Sequence, residues 1–277
     1  MRSGILMALA IAALYNAAQG QEAPALEPAA YRIGVGVPVA VKVRNTVTGA
    51  DIPWDDARVS WTLLRVAGTQ ENSDLAPRAD EKGVAGSIRI TTEGAAVIGV
   101  DFRPRVVTIE AAELRKFAHD RAGAELPESV MGGVAVRLVE SVKSLVRTNG
   151  AGDERSGNVT EKTGQLVEIR PLFDPSAMAI GSDIPVVTYA GGGRAKNARV
   201  IATHIASGEK QEVRTNSSAI GQFRLSKAGV WRVEFHVLAA APKAEPGEPE
   251  GAAWVLSSAT LTFETVAEKP AAKEGGK

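Results

Sequence analysis

The sequence contains no cysteine. That excludes disulfides, thiolate metal sites, Cys–His catalysis and lipid attachment at a cleavage-site cysteine, so stability must come from packing. Histidine is nearly as scarce: His119, His204 and His236 are the full set of three, and no HxH or HxxxH pair occurs. A Ser–His–Asp triad has no G-x-S-x-G turn to carry its nucleophile. Nothing singles out a pair of glycosidase-type carboxylates from the 32 acidic residues. Neither sign of charge is in excess, since Lys+Arg also number 32. A nucleic-acid binder concentrates basic residues on one element or face, and no such block is present. These absences point away from an enzyme and away from nucleic acid.

Long apolar runs are also missing, apart from residues 5–15, which are too short to span a bilayer comfortably. With Arg2 before this run and Ala18-Gln19-Gly20 after it, residues 1–20 read as a cleavable signal peptide, cut near Gly20–Gln21. The expected location is periplasmic or secreted, with no integral membrane segment after cleavage.

What the chain does contain is alternation. VPVAVKVRN (38–46) and ARVSWTLLRV (57–66) have the period-two spacing of half-buried strands. A change follows at Thr108, a candidate N-cap. AAELRKFAHDRAG reads as a helix with acidic residues early, basic residues late and Gly123 as its stop. VAVRLVESVKSLVRT (134–148) reads as a second helix, with Val134, Leu138, Val142, Leu145 and Val146 on one stripe. Beyond NGAGDERSGN, seven short strands between 165 and 266 are separated by turn residues at the spacing of a sandwich. The expected fold is mainly β: an N-terminal β-rich region with two helices, then an immunoglobulin-like or transthyretin-like β-sandwich. The expected layout is a signal peptide (1–20), a flexible leader (21–35), an N-terminal domain (36–150) and a linker (151–163). A sandwich domain (164–266) and a disordered tail (267–277) complete it. The Pro/Glu-rich stretch 239–253 interrupts the last hairpin.

The most informative stretch is AGVWRVEFHVL (228–238). Trp231, Val233, Phe235 and Val237 share one face and Arg232, Glu234 and His236 the other, so His236 is expected as a solvated strand histidine. His119, beside Asp120 at a helix C-terminus, suits the helix dipole. Asp51, Asp55 and Asp56 cluster as turn and cap carboxylates rather than as a calcium loop. AGGGR (190–194) lacks a following helix and reads as a hairpin, not a phosphate cradle. Trp61 reads as core. Trp54, in IPWDD, is a candidate exposed aromatic for peptide or glycan contact.

Several stretches together carry a resemblance. LVEIRPLFDP (166–175), IGSDIPV, TNSSAIGQFRLSKAGVWRVEFHV, and Trp254 followed by SATLTFE resemble an exported bacterial family of unknown function (DUF4198-like). VTIEAAELRKFAHDRAG and VRLVESVKSLV sit where that family has a helical stretch, so the resemblance covers roughly 106–266. Family members are often labelled periplasmic components of nickel or cobalt uptake. The resemblance therefore implies a binding or accessory protein that handles Ni²⁺ or Co²⁺. Such an ion favours imidazole and carboxylate donors. If their strands were neighbours, His204 and His236 with Glu234 would be the ligand set. The mature start reads QEAPALEP, without the histidine that family members commonly carry there. The alternative role is a structural or interaction module of the envelope that engages a protein or glycan. Convergence of His204 and His236 would favour the metal, and their separation the interaction module.

Overall fold

The computed structural model describes residues 23–55, 57–66, 69–71, 85–148, 157–244, 246–247 and 249–267. The first strands are β1 (Pro24–Pro28), β2 (Arg32–Ile33), β3 (Pro38–Asn45), β4 (Asp51–Ile52), β5 (Val59–Val66) and β6 (Thr69–Glu71). Next come β7 (Ala85–Arg89), β8 (Ala95–Phe102) and β9 (Arg105–Glu110), then helix α1 (Ala111–Phe117) and a π-helical turn (Ala118–Ala122). β10 (Gly133–Thr148), a 3-10 turn (Gly157–Thr160), β11 (Glu168–Pro171), β12 (Asp183–Ala190) and β13 (Gly193–Arg194) follow. The chain continues through β14 (Arg199–His204), β15 (Lys210–Arg214), β16 (Ile220–Arg224), β17 (Gly229–Ala240) and β18 (Trp254–Thr265). Among the described residues the fold is mainly β, with a single short α-helical region.

The expected second helix is therefore a strand of sixteen residues, β10. Val134, Leu138, Val142 and Val146 recur every four residues, and every fourth residue also lies on one face of a strand. Leu145 points to the opposite side, into a different core cluster from Val142 and Val146. β10 is buried on both faces over most of its length. A strand buried in this way loses its alternation and reads as a near-continuous apolar run. The first helix also starts later than expected: Thr108 belongs to β9, and Glu110 is the N-cap, without a side-chain cap. Gly123 does end it, in the left-handed region at φ 61°.

A ten-stranded sheet in the order β15-β14-β17-β18-β10-β8-β5-β6 forms the middle layer, and β2 and β9 also pair with β10. The junction is the parallel pairing of β10 with β18, while β17 and β18 run antiparallel from Gly229↔Thr265 to Ala240↔Trp254. Strands from before residue 149 and after residue 163 thus share one hydrogen-bonded sheet.

Two further sheets cover opposite faces of this layer. One consists of β1, β3 and β4 with β7, and packs Leu26, Val41, Val43 and Ile88 against Ile98, Val100, Val142 and Val146. The other consists of β11, β12 and β13 with β16, and packs Ile169, Ile184, Val186 and Phe223 against Trp231, Val233, Phe235, Leu261 and Phe263. Segment 21–35, expected as a flexible leader, carries β1 and β2. Ala25 and Leu26 are fully buried, and the carbonyls of Pro24 and Leu26 accept the hydroxyls of Thr260 and Thr262. An edge position tolerates the prolines that made this segment look loose.

Among the described residues no helix is long and apolar enough to cross a membrane. The signal-like residues 1–20, residues 151–156 of the 151–163 connection and residues 268–277 lie outside the described residues.

Candidate functional site

The polar face of β17 lies beneath the helical segment, not in water. His236 is 1% exposed, which corrects the expectation of a solvated histidine. Alternation separates two faces but does not say which layer covers each. The Phe117 ring meets the imidazole edge-on, with centroids 5.0 Å apart. His236 Nδ1 lies 2.8 Å from Ser258 Oγ, and Nε2 is buried with no hydrogen-bond partner. Burial pushes the imidazole pKa down to about 4, against the opposing pull of Glu234. The ring is therefore neutral near pH 7.

Glu234, fully buried two residues earlier, forms an ion pair with Arg121 from the π-helical turn. Its Oε2 has no hydrogen-bond partner, and Arg232 Nε stands 4.0 Å away. The same end of the helical segment is held by two further contacts. Arg199 donates to the His119 carbonyl at 2.7 Å and Arg214 to the Gly123 carbonyl at 3.3 Å, placing two cations at the negative end of the helical segment. Arg121→Ala leaves the Glu234 carboxylate without its ion-pair partner. The expected loss is about 1–3 kcal/mol, with amide exchange accelerating selectively over 111–122. Uniform acceleration across the chain would reject the local anchor.

The structure brings Glu234 and His236 together but leaves His204 apart from them. His204 pairs with Trp231 across the sheet and packs against that ring with centroids 5.1 Å apart. It therefore lies on the opposite face from His236, about 17 Å away along the strand at about 3.4 Å per residue. Both of its nitrogens are engaged, Nδ1 with Ser207 Oγ at 2.8 Å and Nε2 with the Ala228 carbonyl at 2.9 Å. A carbonyl only accepts, so Nε2 carries the proton. Gly229 makes this fit: a Cβ there would lie 2.7 Å from His204 Nε2. Among the described residues no group of three or more histidines and carboxylates is arranged to hold a metal ion.

The remaining candidates resolve as follows. Trp54 is not an exposed aromatic; it is buried in the core between β3 and the central sheet. Asp51 pairs with Lys42 and Arg44, and Asp55 accepts the Ala57 N–H, as turn carboxylates do. Asp56 lies outside the described residues. His119 is exposed, with Nδ1 2.9 Å from Asp120.

Residues 18–239 match the family described as "Domain of unknown function (DUF4198)". The chain belongs to this family. The DUF4198 match takes in β1–β8, beyond the stretch 106–266 that carries the sequence resemblance, and ends within β17. No curated protein matches the chain. Among solved structures, fibronectin(III)-like modules of Clostridium thermocellum CbhA align over 87% of this chain and 94% of that one. The identity is 10% and the TM-score 0.19, too low to carry an argument about this DUF4198 chain.

A second polar cluster, on the opposite face of the central sheet, was not singled out from the sequence. Lys143 Nζ lies 2.7 Å from Glu168 Oε1, and Arg147 Nη1 lies 2.8 Å from Asp174 Oδ2, with all four side chains at most 3% exposed. The available signal was the spacing of Arg137, Glu140, Lys143 and Arg147 along an otherwise apolar run. Charges inside a strand buried on both faces need internal partners.

Proposed function

We propose that the protein is an exported, non-enzymatic periplasmic binding or accessory module. In this reading it serves divalent-metal uptake, nickel or cobalt, by engaging another envelope component rather than by holding the ion between its own strands. DUF4198 membership and the signal-like residues 1–20 support the setting. The observation that carries the mode of action is the separation of His204 from His236, with Glu234 committed to Arg121. An ion entering beside Glu234 would have to displace the half-buried Arg121 guanidinium. The immunoglobulin- or transthyretin-like reading of 164–266 belongs to the same proposal. It is supported by β11, β12 and β16 facing β14, β17 and β18 across one apolar core.

One observation favours a direct metal role instead: the unpartnered, buried Nε2 of His236 beside Glu234 Oε2. Calorimetric titration of the mature chain with Ni²⁺ and Co²⁺ separates the two readings. The expected result is no stoichiometric binding. Stoichiometric binding that is lost in a His204→Ala, His236→Ala double variant would overturn the proposal and establish the ion as direct cargo.

A further inference from the structure

We propose that Lys143 and Glu168 condense to an intramolecular amide, a covalent tie between β10 and β11, with Asp101 relaying protons. The two side chains are effectively sealed from water, at 2% and 0% exposure, with Nζ 2.7 Å from Oε1. A contact of that length places the carboxyl carbon about 3.5 Å from the nitrogen, the separation from which bond formation proceeds. Both carboxyl oxygens are held by backbone N–H groups, Thr163 to Oε1 at 2.9 Å and Gly164 to Oε2 at 3.3 Å. Donors fixed in this way stabilise the charge that develops on oxygen during attack at a carboxyl carbon. Nζ also donates to the Ile169 carbonyl at 3.1 Å, which limits how the amine can turn.

Asp101 arrives from β8, the neighbour of β10. Its Oδ2 accepts the Leu166 N–H at 3.1 Å, and its Oδ1 is buried with no hydrogen-bond partner. The same turn is pinned across both strands by Gln165, whose Nε2 donates to the carbonyls of Val100 and Val142 at 3.2 and 3.0 Å. One short segment, 163–168, thus supplies the carboxyl group, its N–H donors and an N–H that holds the relay acid. Burial lowers the Lys143 pKa despite the attraction of Glu168, and burial raises that of Asp101 to about 6. Both shifts favour the neutral forms of the amine and of the relay acid. Glu168, despite burial, is held below its ordinary range by Lys143 and Thr163, so proton transfer within the pair must precede attack.

The chemistry balances without any added reagent. A proton moves within the Lys143–Glu168 pair, giving an amine and a carboxylic acid. Nζ attacks Cδ, and the oxygen that stays is held by the N–H group already on it, Thr163 for Oε1 or Gly164 for Oε2. Asp101, neutral at the outset, delivers its proton to the departing hydroxyl and recovers one from the nitrogen. The C–OH bond breaks, an amide N–H remains and one water leaves. No atom is oxidised or reduced.

Intact mass spectrometry of the denatured full-length protein tests this. The expected mass is lower than the sequence mass by one water. A digest should yield a branched peptide joining the segments that contain Lys143 and Glu168, with no tryptic cleavage after Lys143. Lys143→Arg and Glu168→Ala are each expected to restore the missing water. Asp101→Asn is expected to restore it in a chain that still folds by circular dichroism. The full sequence mass in the wild type would overturn the proposal, as would a missing water that persists in Lys143→Arg. Should the variants fail to fold, the wild-type peptide map decides alone.

Discussion

Between pH 6.5 and 4, Asp101→Asn is expected to lose about 3 kcal/mol of stability relative to wild type, and His236→Gln to gain a similar amount. Both groups are buried and uncharged in the folded protein at mildly acid pH, but they titrate in opposite senses. Burial holds His236 down at about 4 against an ordinary 6.5, so on acidification the unfolded chain takes up the proton first. The stability contributed by neutral His236 is complete above pH 6.5 and is lost as pH falls toward 4. Burial raises Asp101 from 3.8 to about 6, so here the folded chain takes up the proton first. The cost of the buried carboxylate is complete above pH 6 and is relieved as pH falls toward 3.8. In the wild type the two windows nearly coincide and the terms largely cancel. Urea melts at several pH values across this range, each referenced to wild type, should show the variant curves tilting in opposite directions. Three parallel curves would show that neither side chain is buried as described.

Trp231→Ala should cost about 3–5 kcal/mol, which is a large part of a typical domain's stability of about 5–15 kcal/mol. Trp231 is fully buried and stands where the central sheet meets β11, β12 and β16. On its own sheet it is flanked by His204 and Phe263 in register. The indole Nε1 donates to the Lys227 carbonyl at 3.0 Å, closing the turn into β17. Truncation removes the ring from between two sheets, withdraws that donor and strips His204 of its stacking partner. Neither sheet can collapse into the gap without breaking its own register. Trp231→Phe retains most of the ring volume and should recover more than half of the loss. Chemical denaturation measures both, and a loss below about 1 kcal/mol for the alanine variant would mean that the indole is not part of the core.

The fold was legible wherever one strand face is wet or turn residues bound the strand. β12, β14, β15, β16 and β18 fall within a residue or two of the expected stretches: in β15 and β16 half-burial writes period two into the sequence, and the others are bounded by turn residues. β10 was not legible as a strand for the converse reason, since both of its faces are covered. Its four-residue recurrence imitated a helix, although five valines in sixteen residues favour the extended form. At the candidate site, the face shared by Glu234 and His236 was readable from alternation alone. Their burial depends on α1 crossing that face and on Arg121, which lies 113 residues from its partner, and no local pattern records such a contact. Lys143, Glu168 and Asp101 were hidden in the same way, as three ordinary charges until tertiary packing brings them together.

The position of β18 also dictates the order in which this molecule can assemble. It lies between β10 and β17, and its bonds to β10 join residues such as Ser144 and Thr262, 118 positions apart. Until the last strand is available, the central sheet exists as two unjoined halves, each with a bare inner edge. Pairings so distant in the chain form slowly, because the intervening loop must close before any contact rewards it. A growing chain therefore reaches residue 265 before its longest sheet can close. Timing of this kind comes from topology alone.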